Sequence, residues 1–569
     1  MRFSLLTAVF CCAIFLARFA QASEMPVAGK PFEVEILALN DLHGNLLPTP
    51  FYAPQPDGSR KMIPAGGIDA LGAMVRQERA RNPHLIFVGG GDLIGASPLT
   101  SGLLRDEPTI DALNQLGLEF SALGNHELDR GRDELLRMQN GGCQSNEAQR
   151  ACKYQPGYSG AKFRWIAANV IDTVTRQPLL PPYVIREAHG VPIAFIGAVL
   201  KSTPLIVEPD GVAGLRFEDE AEAINRTVAQ LRKQGIKVFV ALIHQGGDTR
   251  QRFDVSDCDT LTGEIVGIAK RLDPDVHTVI SGHTHRGYQC RVDHKLVTQA
   301  EDYGHLLTRI TLTIDPVTGK EIRQRSVNLV VDPARLPADP AMQGIVARAE
   351  ALTEPAARQT VAKLAVEQVV RAGKMHPDTG EAPLGDLVAD AYLSATKIYG
   401  TQIVFLNRGT MRDDLPHALP NPQQTVNFGD AFATLPFNNN LVVMTLTGAQ
   451  IKSALEQQWV LTASTAHVMQ VSSGFSYAWD AGLPINERID ATSMMLHGHP
   501  IEPEQNYRVV MNDFLAEGGD GVTVFRDGLD RVVTPVLDLQ ALTGYLQHKA
   551  AMGQPAGRKV AADRIIRRN

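Results

Sequence analysis

The sequence predicts an α/β protein with two domains that are joined by one helix. Its 569 residues are more than a single hydrophobic core usually serves, so we expect at least two cores. Between residues 31 and 335, short apolar runs rich in β-branched residues alternate with helical patterns, which is typical of layered α/β folds. A second α/β pattern covers residues 359–560, after a helical segment at 336–358.

The strands of the first domain are predicted from its apolar runs, because buried strands are short and rich in β-branched residues. These runs lie at 34–39, 85–88, 120–123, 165–170, 193–199, 238–243, 276–280 and 295–298. Helices are predicted between several of them, at 67–81 and 218–234. This alternation predicts a layered domain over residues 31–335.

The second domain follows a segment that is rich in Ala, Glu and Arg and has a helical period. We expect this segment, 336–358, to form one linking helix. After it come a helical pattern at 384–396, a strand pattern at 402–406 and an alternating run at 441–446. These patterns predict a second α/β domain over residues 359–560.

The first 22 residues have the pattern of a secretory signal peptide. Arg2 supplies the positive start, residues 5–17 form an apolar run, and an A-x-A motif ends at Ala22. A membrane anchor is the alternative, but the run is shorter than the roughly 20 residues that span a bilayer, and Arg18 interrupts it. We therefore expect a periplasmic or secreted protein, with no membrane span in the mature chain.

Four cysteines would remain after cleavage, and in an exported chain they suggest two disulfides. Proximity in sequence favours Cys143–Cys152 and Cys258–Cys290, although four cysteines permit three connectivities. Removing Arg2 and Arg18 with the leader takes two positive charges away, so the formal net charge changes from −7 to −9. An acidic chain without a basic run argues against nucleic-acid polymers and anionic membranes as partners.

Five polar segments each follow directly after a predicted strand. They are Asn40-Asp41-Leu42-His43-Gly44, Gly91-Asp92, Gly124-Asn125-His126-Glu127, His244 and Gly282-His283-Thr284-His285. The carboxyl ends of strands in an α/β sheet are where such folds gather ligands. Imidazole and carboxylate groups suit zinc, manganese or iron, and one aspartate can bridge two ions about 3.5–4 Å apart. Each segment alone is weak evidence, but all five together predict a dinuclear metal site.

The order of these motifs resembles that of the calcineurin-like metallophosphoesterases, and the second half resembles the 5′-nucleotidase C-terminal domain. The resemblance covers nearly all of the mature chain and points to the bacterial periplasmic family of 5′-nucleotidases, UDP-sugar hydrolases and 2′,3′-cyclic phosphodiesterases. It implies a layered calcineurin-like N-terminal domain, a linking helix and a C-terminal α/β domain that binds the substrate. It also implies that the two domains close over the substrate.

The resemblance implies a role for each polar residue of the five segments. One divalent ion (Zn, Mn, Co or Fe) would be held by Asp41, His43 and His285, a second by Asn125, His244 and His283, and Asp92 would bridge them. His126 would not be a ligand. Oriented by Asp129, it would face the phosphoryl group, where an imidazolium can stabilise developing negative charge.

The second domain contains loops that resemble the nucleoside site of this family. The implied substrate-binding residues are Asn407, Gly409, Arg412, Phe437, Phe514 and Asp520. The two Phe rings would sandwich the base and Asp520 would bind the ribose, although lone Phe residues more often pack in a core. Many members carry a phosphate-contacting Arg in the stretch that is His376-Pro377-Asp378-Thr379-Gly380 here, and this departure leaves the phosphate contact open.

The function implied is hydrolysis of nucleoside 5′-monophosphates to nucleoside and phosphate, with nucleotide sugars and 2′,3′-cyclic nucleotides as further candidate substrates. One alternative is a thiosulfohydrolase of sulfur oxidation, which the paired Phe loops disfavour. The other is a catalytically silent nucleotide-binding surface protein. The complete set of metal positions and the His126–Asp129 pair disfavour it.

Overall fold

A computed structural model describes residues 29–54, 59–371, 379–417, 420–460 and 468–568. The proposed leader at 1–22 and the residues 376–378 of the departing stretch lie outside these ranges. Among the described helices, none combines the length and the apolar character that crossing a membrane requires.

The first part of the chain is built mainly from strands. They are β1 (Phe32–Leu39), β2 (Pro48–Pro54), β3 (Arg60–Gly66), β4 (Ile86–Gly89), β5 (Phe120–Ala122), β6 (Arg164–Ile166), β7 (Val170–Asp172), β8 (Tyr183–Ala188), β9 (Val191–Val199), β10 (Leu215–Phe217), β11 (Val238–His244), β12 (Val276–Ser281), β13 (Gly287–Val292), β14 (Lys295–Ala300), β15 (Leu306–Asp315) and β16 (Lys320–Val330). Its helices are α1 (Ile68–Arg81), α2 (Leu99–Gly102), α3 (Glu107–Leu116), α4 (Arg132–Asn140), α5 (Thr203–Ile206), α6 (Glu220–Arg232) and α7 (Glu264–Arg271), and α8 (Pro340–Ala357) follows them.

Two six-stranded sheets form the centre of this part. Their strand orders are β16-β15-β1-β4-β5-β6 and β13-β14-β12-β11-β9-β8. A single buried cluster contains Val88 and Phe120 of the first sheet together with Val240 and Leu242 of the second. The apolar faces of the two sheets therefore pack on each other, which explains why their strands are apolar on both sides.

Helices cover the outer face of each sheet. Phe87 of β4 is buried with Leu71 of α1 in one core cluster, and Phe239 of β11 is buried with Ile224 of α6 in another. Strands β1, β4 and β5 are parallel neighbours, and so are β11 and β12. The carboxyl ends of parallel strands lie at one edge of a sheet, so the loops after these strands are brought together.

The later part of the chain forms further sheets, the largest of which has the order β21-β18-β25-β20-β26. Its strands are β17 (Thr360–Lys363), β18 (Ile403–Leu406), β19 (Thr425–Asn427), β20 (Asn440–Thr447), β21 (Gln470–Val471), β22 (Phe475–Trp479), β23 (Ile489–Leu496), β24 (His499–Pro500), β25 (Asn506–Asn512), β26 (Leu529–Leu537) and β27 (Ile565–Arg567). Its helices are α9 (Pro383–Ala395), α10 (Phe428–Thr434), α11 (Gly448–Glu456), α12 (Asp513–Ala516) and α13 (Asp538–Ala551). Strand β27 pairs with β22, so this part continues beyond residue 560.

Several of the expected elements differ from the structure. The linking helix expected at 336–358 begins at Pro340, because Asp339 caps it. The apolar run 165–170 is not one strand, because the side chain of Asn169 hydrogen-bonds both the N–H and the carbonyl of Val199 and the chain turns there from β6 to β7. The helix expected at 218–234 begins at Glu220, because Asp219 caps it by accepting a hydrogen bond from the N–H of Glu222. Both favoured disulfides, Cys143–Cys152 and Cys258–Cys290, are present.

Candidate metal centre and substrate cleft

The polar residues that follow the parallel strands meet in two clusters. Among the described residues, these candidate metal-binding groups are Asp41 with His43 and His285, and Asp92 with His244 and His283. His126 also lies close enough to His43 and Asp92 to form such a group with them. Nε2 of His43 lies 3.1 Å from Nε2 of His285. Asp92 joins the clusters, because its Oδ2 is 3.0 Å from Nε2 of His244 and 3.7 Å from Nε2 of His43. Asn125 lies at the second cluster, with its Oδ1 3.1 Å from Nδ1 of His283.

Hydrogen bonds to backbone carbonyls fix the orientation of two of these imidazoles. Nδ1 of His43 lies 2.9 Å from the carbonyl of Gly95, and Nδ1 of His244 lies 2.8 Å from the carbonyl of Gly90. A carbonyl can only accept, so each Nδ1 carries the proton and each Nε2 presents its lone pair to the centre. Nε2 of His244 is buried and faces Oδ2 of Asp92 at 3.0 Å, without a hydrogen bond between them. A buried, unpartnered ring nitrogen of this kind fits a metal ligand.

The backbone of these loops is held in the left-handed region. Positive φ values occur at Asp41 (50°), His43 (46°), Asp92 (50°), His283 (75°) and His285 (54°). For residues other than glycine this conformation costs free energy and is concentrated at functional sites. Gly124 shows how crowded the loops are, because a Cβ there would clash with the carboxylate of Asp92.

Burial and neighbouring charges shift the pKa values of the groups at the centre. Burial would raise the pKa of Asp92, but the neighbouring His244 and His126 hold it well below its usual range. Burial lowers the pKa of His283 to about 3, so its ring is neutral. Burial would also lower the pKa of His244, but Asp92 raises it to about 9. The protein thus favours positive charge beside Asp92, where a cation bound at Nε2 of His244 would replace the proton.

The donor set therefore fits divalent cations. Carboxylate oxygens and neutral imidazole nitrogens suit zinc, manganese, cobalt or iron better than calcium or magnesium. Asp92, which lies between the two histidine clusters, is placed as a bridging ligand would be.

Glu127 organises the centre although the sequence patterns gave it no role. Its carboxylate accepts hydrogen bonds from the N–H groups of Asp92, Leu93 and Gly124, at 3.0, 2.7 and 2.6 Å. This buried side chain ties the loop after β4 to the loop after β5. Its position in the Gly124-Asn125-His126-Glu127 motif was the available signal, but two of its partners, Asp92 and Leu93, are more than 30 residues away in the chain.

His126 and Asp129 form the pair that the resemblance implies. Nδ1 of His126 lies 2.8 Å from Oδ2 and 3.0 Å from Oδ1 of Asp129. Since Asp129 engages Nδ1, Nε2 of the ring is left for another partner. The backbone N–H of His126 also donates to Oδ1 of Asp92 at 2.9 Å, so this pair is anchored directly to the metal-binding loops.

A cleft of about 1470 Å³ lies between the two parts of the chain. The sequence-predicted residues that line it are Asn125, His126, Asp129, His283, Asn407, Gly409, Arg412, Phe437, Phe514 and Asp520. Phe437 stacks on His126, with ring centroids 5.9 Å apart and planes at 19°. The structure thus brings the candidate nucleoside-binding loops to the same cleft as the metal centre.

The six candidate substrate-binding residues of the C-terminal domain have different surroundings within the cleft. Asn407 donates a hydrogen bond to Oδ2 of Asp520 at 3.0 Å. The guanidinium carbon of Arg412 is 6.0 Å from the ring centroid of Phe437, and its Nε is buried without a hydrogen-bond partner. Phe514 is only 9% exposed and belongs to a core cluster, so part of its ring packs in the domain interior.

Two protein-family models match the chain. The model for calcineurin-like phosphoesterases matches residues 34–287, and the model for the 5′-nucleotidase C-terminal domain matches residues 360–527. An endonuclease of Bacillus subtilis (strain 168) is 31% identical over 510 residues, covering 88% of this chain. This chain spans 39% of the length of that relative.

Two solved structures share the fold over nearly the whole chain. A 5′-nucleotidase precursor from Thermus thermophilus is 26% identical, with a TM-score of 0.74, and the match covers 95% of this chain and 100% of that one. A sulfate thiohydrolase from the same organism is 20% identical with a TM-score of 0.69, over 94% of this chain and 97% of that one. The second likeness is one of fold alone. From these matches, the chain combines a domain of the calcineurin-like phosphoesterase family, at residues 34–287, with a 5′-nucleotidase C-terminal domain, at residues 360–527.

Proposed function

We propose that this protein is a dinuclear-metal phosphohydrolase that releases phosphate from nucleoside 5′-monophosphates. The observation that carries the proposal is the position of Asp92, whose Oδ2 lies within 4 Å of a histidine from each candidate metal cluster. Asp41, His43 and His285 would hold one ion, and Asn125, His244 and His283 the other. When bound, two such ions supply charge neutralisation for the phosphate and a water activated for in-line attack.

The protein's own groups would orient the substrate and stabilise charge. Asp129 accepts from Nδ1–H of His126, so Nε2–H of an imidazolium is available to a phosphoryl or leaving-group oxygen. Arg412 supplies a guanidinium with a buried, unpartnered Nε beside this position. Burial chiefly lowers the pKa of His43, and the positive charge of Arg412 adds to the effect.

Nucleotide specificity would come from the C-terminal side of the cleft. We propose that Phe437 and Phe514 contact the base and that Asn407, Gly409 and Asp520 form the ribose-binding surface. Base stacking needs only an aromatic face, so this site tolerates different bases. Phe437 is the better supported of the two rings, because it is partly exposed in the cleft whereas Phe514 is mostly buried.

Export to the periplasm or the medium is part of the proposal. The leader pattern at 1–22 and the two disulfides support it, because disulfides persist in oxidising compartments. Cell fractionation with amino-terminal sequencing tests it. The expected mature protein begins after Ala22, and a cytoplasmic protein that retains residues 1–22 would contradict it.

A substrate panel tests the proposed chemistry. The purified protein is assayed with nucleoside 5′-monophosphates, a nucleotide sugar, a 2′,3′-cyclic nucleotide, a single-stranded oligonucleotide and a thiosulfonate conjugate. The highest kcat/KM is expected for a 5′-monophosphate. Preference for the thiosulfonate or the oligonucleotide would replace the proposed substrate class, and inactivity on all of them would favour a binding protein.

A further inference from the structure

A third acidic and histidine cluster lies beside the metal centre, at residues that none of the five motifs contains. Glu301, Asp302 and His305 follow β14, and among the described residues they form a further group that could hold a cation. His305 is only 5% exposed. Because β14 is parallel to β12, these side chains emerge at the same sheet edge as His283 and His285.

The carboxylate of Asp302 lies between two imidazoles, and Oε2 of Glu301 is as close to Nδ1 of His305 as Asp302 is, at 3.3 Å. Its Oδ2 lies 2.9 Å from Nδ1 of His285, and its Oδ1 lies 3.3 Å from Nδ1 of His305. On its other side, Nε2 of His305 lies 2.6 Å from Oγ1 of Thr49 on β2. A chain of polar contacts therefore runs from Thr49 through His305 and Asp302 to His285.

The turn that carries Asp302 is tied to the loop that carries Asp41. Asn40 donates from Nδ2 to the carbonyl of Glu301 at 2.6 Å, and the N–H of Tyr303 donates to the carbonyl of Asp41 at 2.8 Å. Glu301 and Tyr303 both have positive φ, at 58° and 52°. A strained turn that is held on both sides of Asp302 leaves its carboxylate little freedom to move away from His285.

We propose that Asp302 is a positioning residue for His285 and that His305 fixes the orientation of Asp302. By accepting from Nδ1–H of His285, the carboxylate selects the tautomer whose Nε2 lone pair points to the centre, 3.5 Å from Oδ1 of Asp41. This inference rests on the proposed role of His285 as a ligand. The competing interpretation is a third metal site at Glu301, Asp302 and His305. The number of Co²⁺ ions bound per chain separates the two interpretations, because Nδ1 of His305 and Oε2 of Glu301 are buried without a hydrogen bond.

Metal binding, measured separately from catalysis, tests the inference. The metal-free full-length protein is titrated with Co²⁺ and followed by its visible absorption and by calorimetry. The wild type should bind two ions per chain. Asp302→Ala and the isosteric Asp302→Asn should weaken one binding phase by about 10- to 100-fold and leave the other unchanged, since outer partners of ligating histidines typically have effects of this size.

Two further variants test the role of His305 and provide a matched control. His305→Gln should weaken the same phase by a smaller factor, because it acts one contact further from His285. Asp315→Asn is the matched control, because Asp315 is a carboxylate in a solvent-facing turn at the opposite end of β15. Its Co²⁺ titration and spectrum should match those of the wild type.

The possible outcomes distinguish failure of this inference from failure of the proposed function. Unchanged Co²⁺ binding in both folded Asp302 variants would overturn the inference and leave the dinuclear centre intact. Three ions per wild-type chain, with only the third lost in the variants, would replace it by a third metal site. A wild type that binds no divalent ion would overturn the proposed function and the inference together.

Discussion

The ring of Phe437, from the C-terminal domain, stacks on the imidazole of His126, from the N-terminal domain, at a centroid distance of 5.9 Å. His126 is in turn hydrogen-bonded to Asp129 and, through its backbone, to Asp92. One aromatic contact therefore connects the candidate base-binding loop with the candidate metal centre. A nucleotide whose phosphate contacts Nε2 of His126, as we propose, would lie beside this ring pair.

Phe437→Ala should raise KM for nucleoside monophosphates about tenfold or more, because stacking of a base on an aromatic ring contributes roughly 1–3 kcal/mol. Hydrolysis of p-nitrophenyl phosphate, which carries no nucleobase, serves as the internal control. Steady-state kinetics on both substrates make the measurement. Equal losses on the two would mean that the ring orders His126 rather than the base.

His126→Ala should lower kcat by about 10²- to 10⁴-fold, the usual range for a positioned general acid or charge-stabilising group. Metal content, measured on the same sample, should stay at the wild-type value, because His126 is proposed not to be a ligand. Loss of metal along with activity would assign His126 to the metal-binding set instead.

Asp92→Asn should lower the metal content of the protein, which His126→Ala should not. Replacing a bridging carboxylate by an amide removes the negative charge that both ions share, so both should be bound more weakly. Elemental analysis after gel filtration should find about one ion or fewer per chain, with the fold retained by circular dichroism. Full occupancy of both sites would contradict the bridging role.

Glu208 makes a testable contribution to the pH dependence of stability. Burial, together with the charges of Asp513 and Asp129, raises its pKa from 4.5 to about 9. A carboxyl whose pKa is raised by folding contributes stability below about pH 4.5, and this contribution is lost as the pH rises towards about 9. Glu208→Gln keeps the neutral form, so it should be more stable than the wild type by about 1–3 kcal/mol at pH 8.

Urea unfolding at pH 4.5 and pH 8 measures this difference. The stability gap between Glu208→Gln and the wild type should be near zero at the lower pH and open at the higher one. Glu187→Gln, at an exposed carboxylate on β8, is the matched control and should follow the wild type at both values. A gap of the same size at both pH values would show that folding does not raise the pKa of Glu208.

The sequence predicts the motif-bearing strands well because their apolar runs are buried on both faces. The position of the segments after β1, β4, β5, β11 and β12 can also be predicted, since the residues that follow parallel strands lie at one edge of the sheet. The break at Asn169 was not predictable, because it depends on hydrogen bonds to Val199, which lies 30 residues away. Apolar content alone does not reveal such a contact.

The supporting residues of the site were harder to find than the candidate ligands. Asp302 follows β14 directly, so the strand-end rule could have identified it, but no recognisable motif surrounds it. Glu127 belongs to a motif, yet its role depends on N–H groups at Asp92 and Leu93. The stacking of Phe437 on His126 depends on how the two domains meet, which local sequence patterns do not encode.

Phosphate release before and after metal removal tests the central claim most directly. The purified protein is dialysed against a chelator, assayed with a nucleoside 5′-monophosphate, and assayed again after Mn²⁺, Co²⁺ or Zn²⁺ is added, with bound metal quantified at each step. Activity should disappear with the metal and return as occupancy approaches two ions per chain. Undiminished phosphate release from demonstrably metal-free protein would contradict the dinuclear mechanism.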